Sequence, residues 1–192
     1  MSRDAIPEPW RGFLSELDTL LAKDPFFVER VELHCVGGFV VAMCYELKRT
    51  TVDLDVFAVI PPEYLTPLLE KAGKETDLAV AHHVYIDAGS RIATVPQHYR
   101  DRLREIFTGA FEHLRLLVFD PYDLALSKLE RNIDRDREDV KRLARDSRFS
   151  VDELRHRYES ELRPFLRGRT TWLDGTLEMW SEMIEEQRAD RA

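Results

Sequence analysis

Cysteine is scarce in this chain: Cys35 and Cys44 are the only two in 192 residues. They form no C-x-x-C pair and match no zinc-ligand spacing, which excludes a disulfide-built secreted module and a zinc ribbon. Buried, reduced thiols are the expectation. Long apolar runs are also missing, since Val36 to Cys44 falls far short of the ~20 residues that cross a bilayer. No basic flank leads into an apolar core at the N-terminus, so neither a signal peptide nor a membrane partner is expected, and the location expected is cytoplasmic. There is no Gly/Ser- or Pro-rich linker and no repeat of solenoid period. Positive charge is in deficit, with 28 Lys and Arg against 36 Asp and Glu and a net charge of −8. That balance argues against a generic nucleic-acid binder, which needs surplus cations to neutralise phosphates. Only Lys128 to Arg169 runs the other way, with 13 Lys and Arg against 10 Asp and Glu. It reads as a salt-bridged helical surface that is able to approach a phosphate.

Periodicity supplies the elements. Trp10, Phe13, Leu14, Leu17, Leu20 and Leu21 share one helical face, so 10–23 reads as an amphipathic helix that Asp24-Pro25 stops. Val31 to Val36 reads as a strand running into Gly37-Gly38, followed by a buried helix from Phe39 to Leu47. Val52 to Ile60 alternates and is rich in β-branched residues, which predicts a strand. Pro61-Pro62 opens a helix that Gly73 closes. His83 to Ile86 and Arg91 to Val95 read as strands around a turn at Asp87-Ala88-Gly89-Ser90, and Leu114 to Phe119 as another strand. From Asp120, an N-cap followed by Pro121, the chain reads as helix. Ser150 and Glu153 start a further one, and Trp172, Leu173, Leu177, Trp180 and Ile184 form the apolar face of the last. The fold class expected is therefore α+β (mixed α/β), a mixed sheet flanked by helices over 1–119 with a helical part packed on it over 120–192.

The chemistry concentrates around 37–55. In a strand, residues two apart point the same way, so Asp53 and Asp55 project together, about 7 Å apart along the backbone. Val52, Leu54 and Val56 then turn towards the core. Two carboxylates side by side repel each other unless a cation or solvent intervenes, and oxygen ligands of this kind suit Mg²⁺, which takes one or two carboxylates plus substrate phosphates. A bare D-x-D also reads as an exposed strand face. Gly37-Gly38 sits at a strand-to-helix junction, where missing Cβ atoms and the first helical N–H groups admit a phosphate, or simply make a tight turn.

Gly37-Gly38, one helix, then Arg49-Thr50-Thr51-Val52-Asp53-Leu54-Asp55 resembles the polymerase-β-like nucleotidyltransferase superfamily. It is most similar to the bacterial AbiEii-like group and related toxin–antitoxin-associated families, which carry a Gly-Gly or Gly-Ser and then R-x-T-x-D-h-D. A second block, Lys128 with Arg131, then Arg135-Asp136-Arg137-Glu138-Asp139, is similar to that group's later signature. The resemblance implies a nucleotidyltransferase fold and a transferase that moves a nucleotide from an NTP to a hydroxyl on RNA such as tRNA, on protein or on a small molecule. By the same resemblance Asp53 and Asp55 are catalytic and hold Mg²⁺, while Gly37, Gly38, Arg49, Thr51, Lys128 and Asp136 bind the nucleotide. Asp136 and Asp139 could instead hold Arg131 or Arg135. The third catalytic carboxylate would be Asp87, although that residue reads first as the opening of a turn before Ala88-Gly89. Without it the chain would be a catalytically inactive binding or antitoxin module. A homodimer, or a cognate toxin or antitoxin partner, goes with either reading. A plain helical interaction protein is a third reading.

Overall fold

The computed structural model describes residues 6–45, 50–88, 94–145, 148–168 and 170–190. Its centre is a five-stranded mixed sheet of order β3-β2-β1-β5-β4. Strand β1 (Val31–Val36) pairs antiparallel with β2 (Asp53–Ile60) and parallel with β5 (Leu114–Val118). Strand β3 (Tyr85–Ala88) runs parallel to β2, and the short β4 (Arg104–Ile106) antiparallel to β5.

One face of this sheet carries the core. Val31, Leu33, Cys35, Leu54, Val56 and Ile86 are all buried there. Helix α1 (Trp10–Lys23) packs its apolar stripe inward as periodicity predicts, with Trp10 edge-on to Phe39 at 4.8 Å. It is fastened to the sheet through Asp18, whose carboxylate accepts the backbone N–H groups of Glu112, His113 and Leu114 at 2.7–3.0 Å. On β2 the alternation breaks once. His34 pairs with Ala58 and Cys35 with Val56, so Phe57 is the extra residue of a β-bulge. Beyond it Val59 regains the core face.

Several boundaries differ from the sequence reading. Helix α2 spans Gly37–Cys44, so it starts on the first glycine, not on Phe39; 46–49 lie outside the described residues. Val52 precedes β2 and is exposed, unlike Leu54 and Val56. After α3 (Leu65–Ala72) comes an unforeseen helix, α4 (Asp77–His82), capped by the Thr76 hydroxyl and ended by His83 in the left-handed region. That cap delays β3 to Tyr85 and puts Asp87 inside the strand, not at a turn. The proposed turn and returning strand fall largely on 89–93, outside the described residues.

The remainder is helical: α5 (Pro121–Leu126), α6 (Asp134–Leu143), α7 (Val151–Arg157) and α8 (Thr170–Ala189). Asp120 caps α5, and Ser150 caps α7, as their sequences predict. Leu173, Leu177, Trp180 and Ile184 of α8 are buried, whereas Trp172 is exposed, because α8 turns that side away from the bundle. Ion pairs and a side-chain-to-backbone hydrogen bond tie these helices to the sheet layer. Arg102 binds Asp123 and Glu161 through both ends of its guanidinium, and Arg142 donates to the Tyr45 carbonyl at the end of α2. Cys35 and Cys44 are free thiols, and burial raises the pKa of both.

Candidate active site

The sheet face opposite the core carries the acids. Strand parity puts Asp53 and Asp55 on it together, and the parallel ladder sets Tyr85 beside Asp53 and Asp87 beside Asp55. Three carboxylates and a phenol therefore share one patch at the β2–β3 edge. Thr51, itself buried, fixes the first of them: its hydroxyl lies 2.8 Å from Asp53 Oδ1.

Asp55 is pressed against the Gly-Gly turn. A Cβ on Gly37 would lie 1.8 Å from Asp55 Oδ2, and Gly37 has φ +74°. Both facts require glycine here, the first for space and the second for backbone conformation. Among the described residues no side chain caps the N-terminus of α2, and its first residue lies against Asp55.

Burial pushes the Asp55 carboxyl up to about 6, and the charges of Asp53 and Asp87 add to the rise; Lys128 and Arg131 oppose it. Burial and then Asp53, Asp87 and Asp55 likewise raise Tyr85. The patch thus holds more negative charge than it comfortably carries. Among the described residues, no three metal-ligating side chains already stand at ligand separation. The donor set nonetheless fits Mg²⁺: hard carboxylate oxygens on neighbouring strands, with space kept open by a missing Cβ. Mg²⁺ needs only one or two protein carboxylates when a polyphosphate supplies the rest.

Lys128 does not reach open space. Only 4% exposed, it donates from Nζ to Asp139 Oδ2 at 2.8 Å and stands 3.7 Å from Asp136 Oδ1. Asp136 is buried as well, and its oxygens are taken by Arg131 at 2.8 and 2.5 Å and by the Ile133 N–H. Direct contact between Asp136 and a nucleotide is therefore replaced by a grip on Arg131. Arg49 lies outside the described residues. Local sequence does not single out Tyr85, and it sets Arg131 only as a partner of Asp136 or Asp139. Parity with Asp87 was the available signal for the first, and spacing of three from Lys128 for the second.

A family model described as a nucleotidyltransferase of unknown function, DUF6036, matches residues 14–188. The chain belongs to the DUF6036 family. No curated protein and no solved structure matches it. The mixed sheet with flanking helices is consistent with the nucleotidyltransferase-like fold expected of a DUF6036 member. No helix among its described residues is long and apolar enough to cross a membrane.

Proposed function

We propose that this DUF6036 chain is a Mg²⁺-dependent nucleotidyltransferase that moves a nucleotide from an NTP to a hydroxyl acceptor on RNA, protein or a small molecule. The observation that carries this reading is the position of Asp87 in β3 directly beside Asp55, against the Gly37 turn. It supplies the third carboxylate whose absence would have favoured an inactive binding module.

Each residue then has a task. Asp53, steadied by Thr51, and Asp55 hold Mg²⁺. Bound there, Mg²⁺ would neutralise triphosphate charge and stabilise the attacking and leaving oxygens. The Gly37 and Gly38 backbone and the α2 N-terminus receive phosphate oxygens. Asp87 takes the proton of the acceptor hydroxyl as its oxygen bonds to the α-phosphorus and the bond to pyrophosphate breaks. Two finer readings accompany this one: kinship with the AbiEii-like group and membership of a toxin–antitoxin pair, both supported by the Arg49–Asp55 block.

Labelled NTPs, Mg²⁺ and cell extract test the proposal. The wild-type chain should label an acceptor, and Asp53→Asn, Asp55→Asn and Asp87→Asn should not. Tight NTP binding with no transfer under any of these conditions rejects it in favour of the binding module. Growth arrest on expression, relieved by Asp55→Asn, tests the toxin reading.

A further inference from the structure

The second motif holds four charges in a row of contacts: Asp139, Lys128, Asp136 and Arg131. Their exposures differ sharply. Lys128, Asp136 and Asp139 are buried, whereas the Arg131 side chain is 50% exposed. Withdrawing Lys128 to meet a ligand would leave two buried carboxylates short of a cation, a costly state. Arg131 faces no such obstacle. Its fork spends one Nε–H and one Nη2–H on Asp136, which leaves three of five N–H donors.

Arg131 is also aimed. Burial alone would raise Asp136, but the Arg131 hydrogen bonds and the Lys128 charge hold it below the ordinary range, so the acceptor stays ionised. The backbone immediately after Arg131 is fixed too. Asn132, at φ +43°, accepts Trp180 Nε1–H at 2.9 Å on its side chain and Arg137 at 3.0 Å on its carbonyl. Helix α6, which follows, packs on α2, the helix whose first residue touches Asp55.

Resting on the nucleotidyltransferase reading, we propose that Arg131, and not Lys128, is the cation that meets the triphosphate of the bound nucleotide. Asp136 is the positioning residue that orients its fork, and Lys128 is the buried counter-charge that stands between Asp136 and Asp139. A planar fork held from behind by a carboxylate is suited to gripping phosphate oxygens two at a time, which a buried ammonium cannot do.

Calorimetry of the full chain with Mg²⁺ and inorganic triphosphate removes any dependence on the base. Arg131→Gln should weaken binding about 10- to 100-fold, the range for losing hydrogen bonds to a charged group. Arg131→Lys, which keeps the charge without the fork, should recover only part of this and guards against a folding defect. Phenylglyoxal labelling read by mass spectrometry gives an answer without mutation. Mg²⁺-triphosphate should protect Arg131, and an amine reagent should leave Lys128 unmodified with or without it. Unchanged affinity in Arg131→Gln, an unprotected Arg131, or a reactive Lys128 that triphosphate shields would each overturn the assignment. Such a result from a wild-type chain that still transfers label would leave the nucleotidyltransferase reading standing. A wild-type chain that neither binds triphosphate nor transfers label would end both.

Discussion

Asp55→Asn should make the metal-free protein more stable at neutral pH while removing its activity. The reason lies in the proton affinity of Asp55, which rises from an ordinary value of 3.8 to about 6 on folding. Below the lower value both states are protonated and the carboxyl is neutral to stability. Between 3.8 and 6 the folded chain keeps a proton that the unfolded chain has released, so stability falls as pH rises through that window. Above it the full cost of an ionised carboxylate squeezed between Asp53, Asp87 and the Gly37 turn is present. At 1.36 kcal/mol per pH unit the rise corresponds to about 3 kcal/mol, and relaxation of a half-buried group reduces this to about 2 kcal/mol. Asparagine keeps the shape and drops the charge. For a chain of this size, about 2 kcal/mol is a gain of about 4–8 °C in Tm at pH 7.5. The measurement is thermal unfolding of both proteins in chelator at pH 4.5, 6.0 and 7.5. The gap should be widest at 7.5, slightly smaller at 6.0 and down to about a third of its full size at 4.5. A variant that melts with or below the wild type at pH 7.5, or a gap that does not change with pH, would refute the electrostatic account of the site.

Three further outcomes follow from the same geometry. Adding Mg²⁺ should reverse the ranking, raising the wild-type Tm more at pH 7.5 than at 5.5 and leaving Asp55→Asn unmoved, because a ligand stabilises only the state that binds it. Gly37→Ala should displace the Asp55 carboxylate from a point 1.8 Å away and add about 1–2 kcal/mol of left-handed backbone strain, lowering Tm and cutting transfer about 100-fold; a fully active alanine variant would show that the contact is irrelevant. Truncation before Thr170 strips Leu173, Leu177, Trp180 and Ile184 from the bundle, about 6–12 kcal/mol of burial, which is comparable to the whole stability of a domain. The truncated chain should therefore bind apolar dyes and show no cooperative melt, and an unchanged melting temperature would make α8 a detachable arm.

Elements with a strong period were legible from the residues alone. Helix α1 matches its predicted span, and β1, β2 and β5 follow within a residue or two, because each buries one continuous apolar face. Short elements were not. Helix α4 has six residues and β4 three, too few for a period to declare itself, and their stability comes from the sheet and from α1. The same limit governed the site. Asp53, Asp55 and the glycines announced themselves by local spacing. Asp87 depended on the parallel register of β3 against β2, a pairing between segments some 30 positions apart that local sequence does not encode. The burial of Lys128 is hidden from local sequence for a related reason. A lysine in a charged stretch looks solvated until the tertiary fold, with Lys128 in the turn after α5, closes Asp136 and Asp139 over it.

The bulge at Phe57 makes β2 unusually forgiving of one kind of accident. Phe57 is the residue that the ladder does not need: its ring leaves the strand to meet Tyr99 at 5.2 Å and Phe119 at 5.7 Å, beside buried His34. Loss of that single codon would restore an unbroken ladder, with both aspartates, Leu54, Val56 and Val59 still in phase, and would remove only an aromatic wedge. Loss of Leu54 would do the opposite, leaving the two aspartates adjacent and facing opposite sides of the sheet. Chain length can therefore drift on the far side of Val56, while the interval between Asp53 and Asp55 is locked.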